Sequence, residues 1–160
     1  MDQLTTALFA ASRQGNVPVL QEIFKLISDV DKRDERGYTP LIIAAYNNQY
    51  EAVKALLYAG ADINATDASG NTALMGASFK GYEDVAQLLI ANGADVNAMH
   101  GNGGSALMFA VMFGRNNMID LLLDSGADIN QKDHRGIGVL EIAYQQHNEI
   151  AIGKLQRLAS

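Results

Sequence analysis

The sequence predicts an all-α solenoid of five stacked helical hairpins joined by projecting, β-hairpin-like loops. Three observations predict it. The string Gly60-Ala61-Asp62-Ile63-Asn64 returns as Gly93-Ala94-Asp95-Val96-Asn97 and again as Gly126-Ala127-Asp128-Ile129-Asn130, a step of 33 residues. A second glycine column, Gly37, Gly70, Gly103 and Gly136, keeps the same step. Between the two markers lie two apolar segments at helical spacing, such as Leu41, Ile42, Ala44 and Ala45 followed by Val53, Leu56 and Leu57. A period of this length belongs to repeat architectures, in which no unit buries its apolar face alone.

The first unit, residues 1–33, keeps the helical spacing in Thr6-Ala7-Leu8-Phe9 but carries Leu4 and Ile27 where later units have glycine, and reads as an N-terminal cap. Units 34–66, 67–99 and 100–132 follow, counted from the loop aspartates Asp34 and Asp67, a column that His100 interrupts and Asp133 resumes. The hydroxyls of Thr39, Thr72 and Ser105 are placed to cap each first helix, and Pro40 fits a first turn, where its missing N–H has no intrahelical partner. Gly60, Gly93 and Gly126 end the second helices, where a left-handed residue is cheapest for glycine, and the Ala-Asp-Ile/Val-Asn that follows turns the chain outward. The last unit, residues 133–160, has Gly138 at the cap position and Glu141 in the column of Phe9, Ile42, Met75 and Met108. With Glu149, Lys154, Gln156 and Arg157 on its final helix, it reads as a C-terminal cap. Terminal units need polar outer faces, so residues 1–160 are expected to form one complete domain. The run His100-Gly101-Asn102-Gly103-Gly104 is expected to be the loosest tip, because each glycine forfeits conformational restriction.

Thr39-Pro40-Leu41-Ile42-Ile43-Ala44-Ala45, with the Gly-Ala-Asp-Ile-Asn string downstream, resembles the ankyrin repeat, and the likeness covers almost all of the chain. It departs from that family in having Ile42, Met75 and Met108 where histidine usually follows the Thr-Pro-Leu triplet, and in keeping the proline once. These changes weaken local hydrogen bonding and not the fold. Small free-standing proteins resembling this one occur in bacteria. The resemblance implies a non-catalytic protein–protein interaction module, whose extended concave face is built from loop tips and the exposed side of the first helices. Projected onto this chain, that face selects Arg36, Tyr38, Tyr46, Asn47, Phe79, Lys80, Met99, Met112, Phe113 and Arg135 as partner-binding residues. One of its columns reads Arg13, Tyr46, Phe79, Met112 and Gln145 at the repeat step, with Phe113 beside Met112, and its apolar centre is the expected hot spot. A regulatory or stabilising subunit of a specific enzyme is the same reading with an obligate partner.

A length of 160 residues with 48% hydrophobic and 19% charged content suits one globular unit. The 18 acids against 12 bases give a formal net charge of −6, a field that repels a phosphate backbone, so nucleic acid is not an expected partner. The absence of cysteine removes disulfides, zinc-thiolate sites and thiol catalysis together. Met1-Asp2-Gln3-Leu4 has neither a basic stretch nor a long apolar one, and no apolar run approaches the roughly 20 residues that cross a bilayer. Cytoplasm is the default compartment, although a leader removed earlier would leave no trace. A monomer that uses neither membrane nor cofactor is expected.

Candidate chemistry is sparse. Gly101-Asn102-Gly103-Gly104 lacks the Gly-Lys-Ser/Thr of a phosphate-binding loop. His100 and His134 fall on neighbouring tips with Asp133 beside the second, which makes a metal-binding protein or an enzyme with a shallow site the weaker alternative. His147 stands in the loop column of Gly15, Gly81 and Gly114, with no adjacent carboxylate or hydroxyl to form an acid–base pair. The Asp-Ile/Val-Asn triplets lack calcium-loop spacing and read as turn formers that bond their own backbone. No residue is assigned a catalytic, cofactor-binding or metal-binding role.

Overall fold

The computed structural model describes residues 1–159. Among these the helices come in five pairs: α1 (Gln3–Gln14) with α2 (Val17–Phe24), α3 (Pro40–Tyr46) with α4 (Tyr50–Tyr58), α5 (Ala73–Lys80) with α6 (Glu83–Ala91), α7 (Ala106–Met112) with α8 (Asn116–Asp124), and α9 (Val139–Gln145) with α10 (Glu149–Ala159). The hydroxyl caps stand where the sequence places them. Thr39, Thr72 and Ser105 accept from the backbone N–H of Ile42, Met75 and Met108 at 3.3, 3.2 and 3.3 Å, satisfying one of the donors that every helix start leaves open. Gly138 has no side chain to do the same for α9.

The odd-numbered helices stack side by side as one layer and the even-numbered helices as a second. Two uniform columns explain the first layer. Leu8, Leu41, Leu74 and Leu107 are each 1% exposed, and Ala11, Ala44, Ala77, Ala110 and Ala143 are buried beside them, small enough for neighbouring helices to approach closely. Ile23, Leu56, Leu89, Leu122 and Leu155 answer from the second layer. The core is therefore a continuous ribbon between the layers. Burying one such leucine contributes about 1.5–3 kcal/mol.

The loops project as hairpin-like tips, closed by Asp34 N–H to Tyr38 O at 3.1 Å, Asp67 to Asn71 at 2.9 Å, His100 to Gly104 at 2.7 Å and Asp133 to Ile137 at 2.9 Å. Each tip also donates to the one before it: Ala68 N–H to Arg36 O, Gly101 N–H to Ser69 O and His134 N–H to Asn102 O, at 2.9–3.1 Å. The third of these tips, expected to be loose, has the same backbone bonds as the others, while His100 Nδ1 and Asn102 Oδ1 accept the two N–H groups that a single aspartate Oδ1 accepts in the other three. Its glycines answer to close approach, since a Cβ on Gly101 would stand 2.8 Å from Ser69 O and one on Gly103 2.9 Å from His134 N. Gly93 illustrates the other use of glycine, with φ at 93° just beyond the end of α6 and open space around it.

A second ladder ties the loops after the second helices. Asp95 N–H donates to Asn64 Oδ1 and Asp128 N–H to Asn97 Oδ1, both at 2.8 Å, while Asp62 N–H donates to the two carboxylate oxygens of Asp31 at 3.1 and 3.0 Å. Asp31 thus holds an asparagine position. Burial raises its pKa above the ordinary carboxylate range, with the Asp62 and Asp29 charges adding to the rise and the Asp62 N–H and Arg33 opposing it. A carboxyl raised in the folded state binds its proton more tightly there. Its contribution to stability is therefore greatest below the unfolded value and declines as pH rises through the raised one. Asp31→Asn keeps the accepting oxygen and removes the charge. It is expected to stabilise the protein at neutral pH by on the order of 0.5 kcal/mol and to flatten the fall in melting temperature from about pH 4 upward. Thermal melts of both proteins across that range check this, and an unchanged pH profile would contradict it.

At the far end Glu141 is exposed, whereas Ile42, Met75 and Met108 in its column are buried against the following unit. The outer side is nevertheless less polar than the sequence suggests, with Tyr144, Ile150 and Leu158 about half exposed. Among the described residues no helix is long and apolar enough to cross a membrane.

Candidate functional site

The C-terminal ends of the odd helices and the loop tips face each other across a groove of about 570 Å³. Ile42, Ile43 and Met75 provide apolar surface inside it, together with Phe109 of α7. Aromatic rings run along one wall. Tyr46 and Phe79 are nearly parallel, 6.0 Å between centroids with 11° between planes, and Phe79 meets Phe113 edge-on at 4.4 Å. The ammonium of Lys80 stands 4.8 Å from the Tyr46 ring centroid, a cation–π distance that holds the ring and leaves a positive charge at the rim. On the tip side are Arg36, Tyr38, Asn71 and His100.

Of the residues read from sequence, Arg36, Tyr38, Tyr46, Asn47, Phe79 and Phe113 line this groove. Asn47 uses its amide locally, donating to Ile43 O at 2.8 Å. Met112 does not line it. This side chain is half-buried against the core, and Phe113, the next residue, takes the place beside Phe79. Met99 is exposed on a tip and lies outside the groove, and Arg135 is turned to Asp133 in an ion pair of 2.7 Å. The sequence reading missed Ile43, Gly76 and Phe109. They share one column, Ala10, Ile43, Gly76, Phe109 and Ile142, whose size varies from unit to unit while the leucine and alanine columns stay constant. That contrast was the available signal.

The residues of the weaker alternative are occupied within their own tips. His100 Nδ1 lies 2.6 Å from Asn102 Oδ1, with its ring edge-on to Phe109 at 5.6 Å. Asp133 accepts from the Arg135 guanidinium at 3.0 and 2.7 Å and from Ile137 N–H at 3.0 Å, and these bonds, Arg135 first, hold its carboxyl below the usual range. His134 is exposed. Among the described residues no group of three or more His, Asp or Glu is arranged to hold a metal ion.

A family profile described as ankyrin repeats (3 copies) matches residues 1–67 and again residues 65–133. The chain belongs to the ankyrin-repeat family. Ankyrin repeats are generally protein–protein interaction modules and generally non-catalytic. Among curated proteins, the chain is 41% identical over 59 residues to ankyrin repeat domain-containing protein 29 of Danio rerio, which is 36% of this chain and 20% of that protein. It is 43% identical over 49 residues to ankyrin repeat and SOCS box protein 3 of Homo sapiens and 39% identical over 49 residues to the Bos taurus protein, each 31% of this chain. The matched stretch is 10% and 9% of those two proteins, so the similarity is to ankyrin repeats within longer chains.

Proposed function

We propose that this ankyrin-repeat protein binds a partner protein through the groove between its first helices and loop tips, acting without catalysis of its own. The observation that supports this reading is the aromatic row. Tyr46 and Phe113 remain 43% and 44% exposed although they flank the half-buried Phe79, and soluble chains seldom keep such a contiguous apolar patch without use. Aromatic side chains that become fully desolvated on binding typically dominate interface energetics.

The experiment isolates the partner by affinity capture from the native organism and then measures its affinity for purified wild-type and variant proteins by calorimetry. Phe79→Ala is expected to weaken binding by about thirtyfold, or roughly 2 kcal/mol, with a smaller loss of stability. Met112→Ala is the contrast, lowering the melting temperature more than the affinity, because that side chain packs on the core. Full affinity in Phe79→Ala, or a Phe79→Ala stability loss as large as that of a core leucine, would defeat the proposal.

A further inference from the structure

The unevenness of one column says what kind of segment the groove receives. Of Ala10, Ile43, Gly76, Phe109 and Ile142, only the central one has no side chain. Gly76 is an interior residue of α5, away from both caps, and it is not among the glycines with positive φ. The backbone therefore does not require it. Packing does not require it either, since a Cβ at Gly76 would meet only Tyr46, at an ordinary 3.4 Å. Glycine here weakens the helix relative to alanine. In exchange it leaves a notch beside Tyr46, in a groove that Ile43, Phe79 and Phe109 also line.

The charge around the notch is opposite in sign to that of the chain, whose formal net charge is −6. Arg13 and Arg36 line the groove, and neither guanidinium has a hydrogen-bond or ion-pair partner among the described residues. Lys80 adds its charge over the Tyr46 ring. The acid that lines the groove, Asp67, is 8% exposed and has both oxygens engaged within its own loop, by Ser69 N–H at 2.8 Å, Asn71 N–H at 2.9 Å and Asn71 Nδ2 at 3.0 Å. Glu35 is exposed on the same tip as Arg36 but does not line the groove. An apolar notch with unpaired cations at its edge complements a ligand that is apolar at one point and anionic beside it.

We propose that the groove captures a linear acidic segment of the partner protein, seating one bulky apolar side chain of that segment in the notch at Gly76. The proposal rests on the protein-binding reading above. The test uses a library of random linear peptides displayed on phage and selected on the immobilised full chain, with enriched peptides then synthesised and titrated by fluorescence polarisation. Enriched peptides are expected to share a leucine or aromatic residue flanked by Asp and Glu, and to bind several-fold more weakly at high salt. Gly76→Leu, which fills the notch with a side chain of the size already present at Ile43 and Phe109, is expected to weaken them by about tenfold or more. Gly76→Ala is expected to raise the melting temperature by about 2–4 °C, which shows that glycine serves the groove and not the fold.

A basic or purely polar consensus, or equal binding to Gly76→Leu, overturns the inference while leaving the concave-face reading standing. No enrichment overturns it as well, because the groove then takes no linear segment. Peptides whose amide-shift perturbations map to α4 and α6 and not to the groove overturn both readings.

Discussion

Replacing Leu74 by alanine is expected to destabilise the protein by about 2–5 kcal/mol, the range for truncating a buried leucine whose surroundings cannot collapse into the space. Leu74 is 1% exposed in the first turn of α5, and α5 is packed between α3 and α7. The cavity would open where the ribbon-like core is continuous on both sides. Because each unit is stabilised only by its neighbours, the loss falls on the coupling between the two halves of the stack as well as on the unit itself. Urea denaturation is expected to show a lower midpoint together with a shallower slope, the sign that part of the chain unfolds before the rest. The same change at Leu158, 55% exposed, should cost less than about 0.5 kcal/mol. A loss at Leu74 no larger than at Leu158 would contradict the stacking described here.

Ending the chain after Lys132 is expected to abolish a cooperative melt or to drive association. The last unit covers α7 and α8 with α9 and α10, so its removal bares Met108, which is 2% exposed in the whole chain. The polar ties lost with it include the Lys154–Asp120 ion pair, the hydrogen bond from Asn148 Nδ2 to Asn116 Oδ1 at 2.8 Å and the bond from His134 N–H to Asn102 O at 2.9 Å. These few ties contribute less than the apolar area uncovered. Light scattering coupled to size exclusion, followed by thermal unfolding, decides the matter. A monomeric truncation that melts as sharply as the whole chain would show that the fourth unit does not depend on the fifth.

Part of the groove was legible because its residues repeat at a fixed step. Arg36, Tyr38, Tyr46, Asn47, Phe79 and Phe113 were placed by the period, and the groove includes all six. Met112 shares the column of Tyr46 and Phe79 but packs on the core outside the groove, because a column counts residues and cannot register which side chain turns inward. Gly76 and Phe109 escaped notice for the opposite reason. They lie inside helices, where periodicity assigns a side chain to a face without saying how deep that face is.

The sequence by itself determined the repeat, the pairing of helices, their hydroxyl caps and the left-handed glycines, because these depend on chain-local geometry and on spacing along the chain. The tertiary structure alone decided that the tips bond to one another, that Asp31 occupies an asparagine rung, and that Ile43, Gly76 and Phe109 line one groove with the aromatic row. These features join residues about 33 positions apart. Their distances follow from how the units rotate as they stack, which is set by the summed packing of the core and by no single motif.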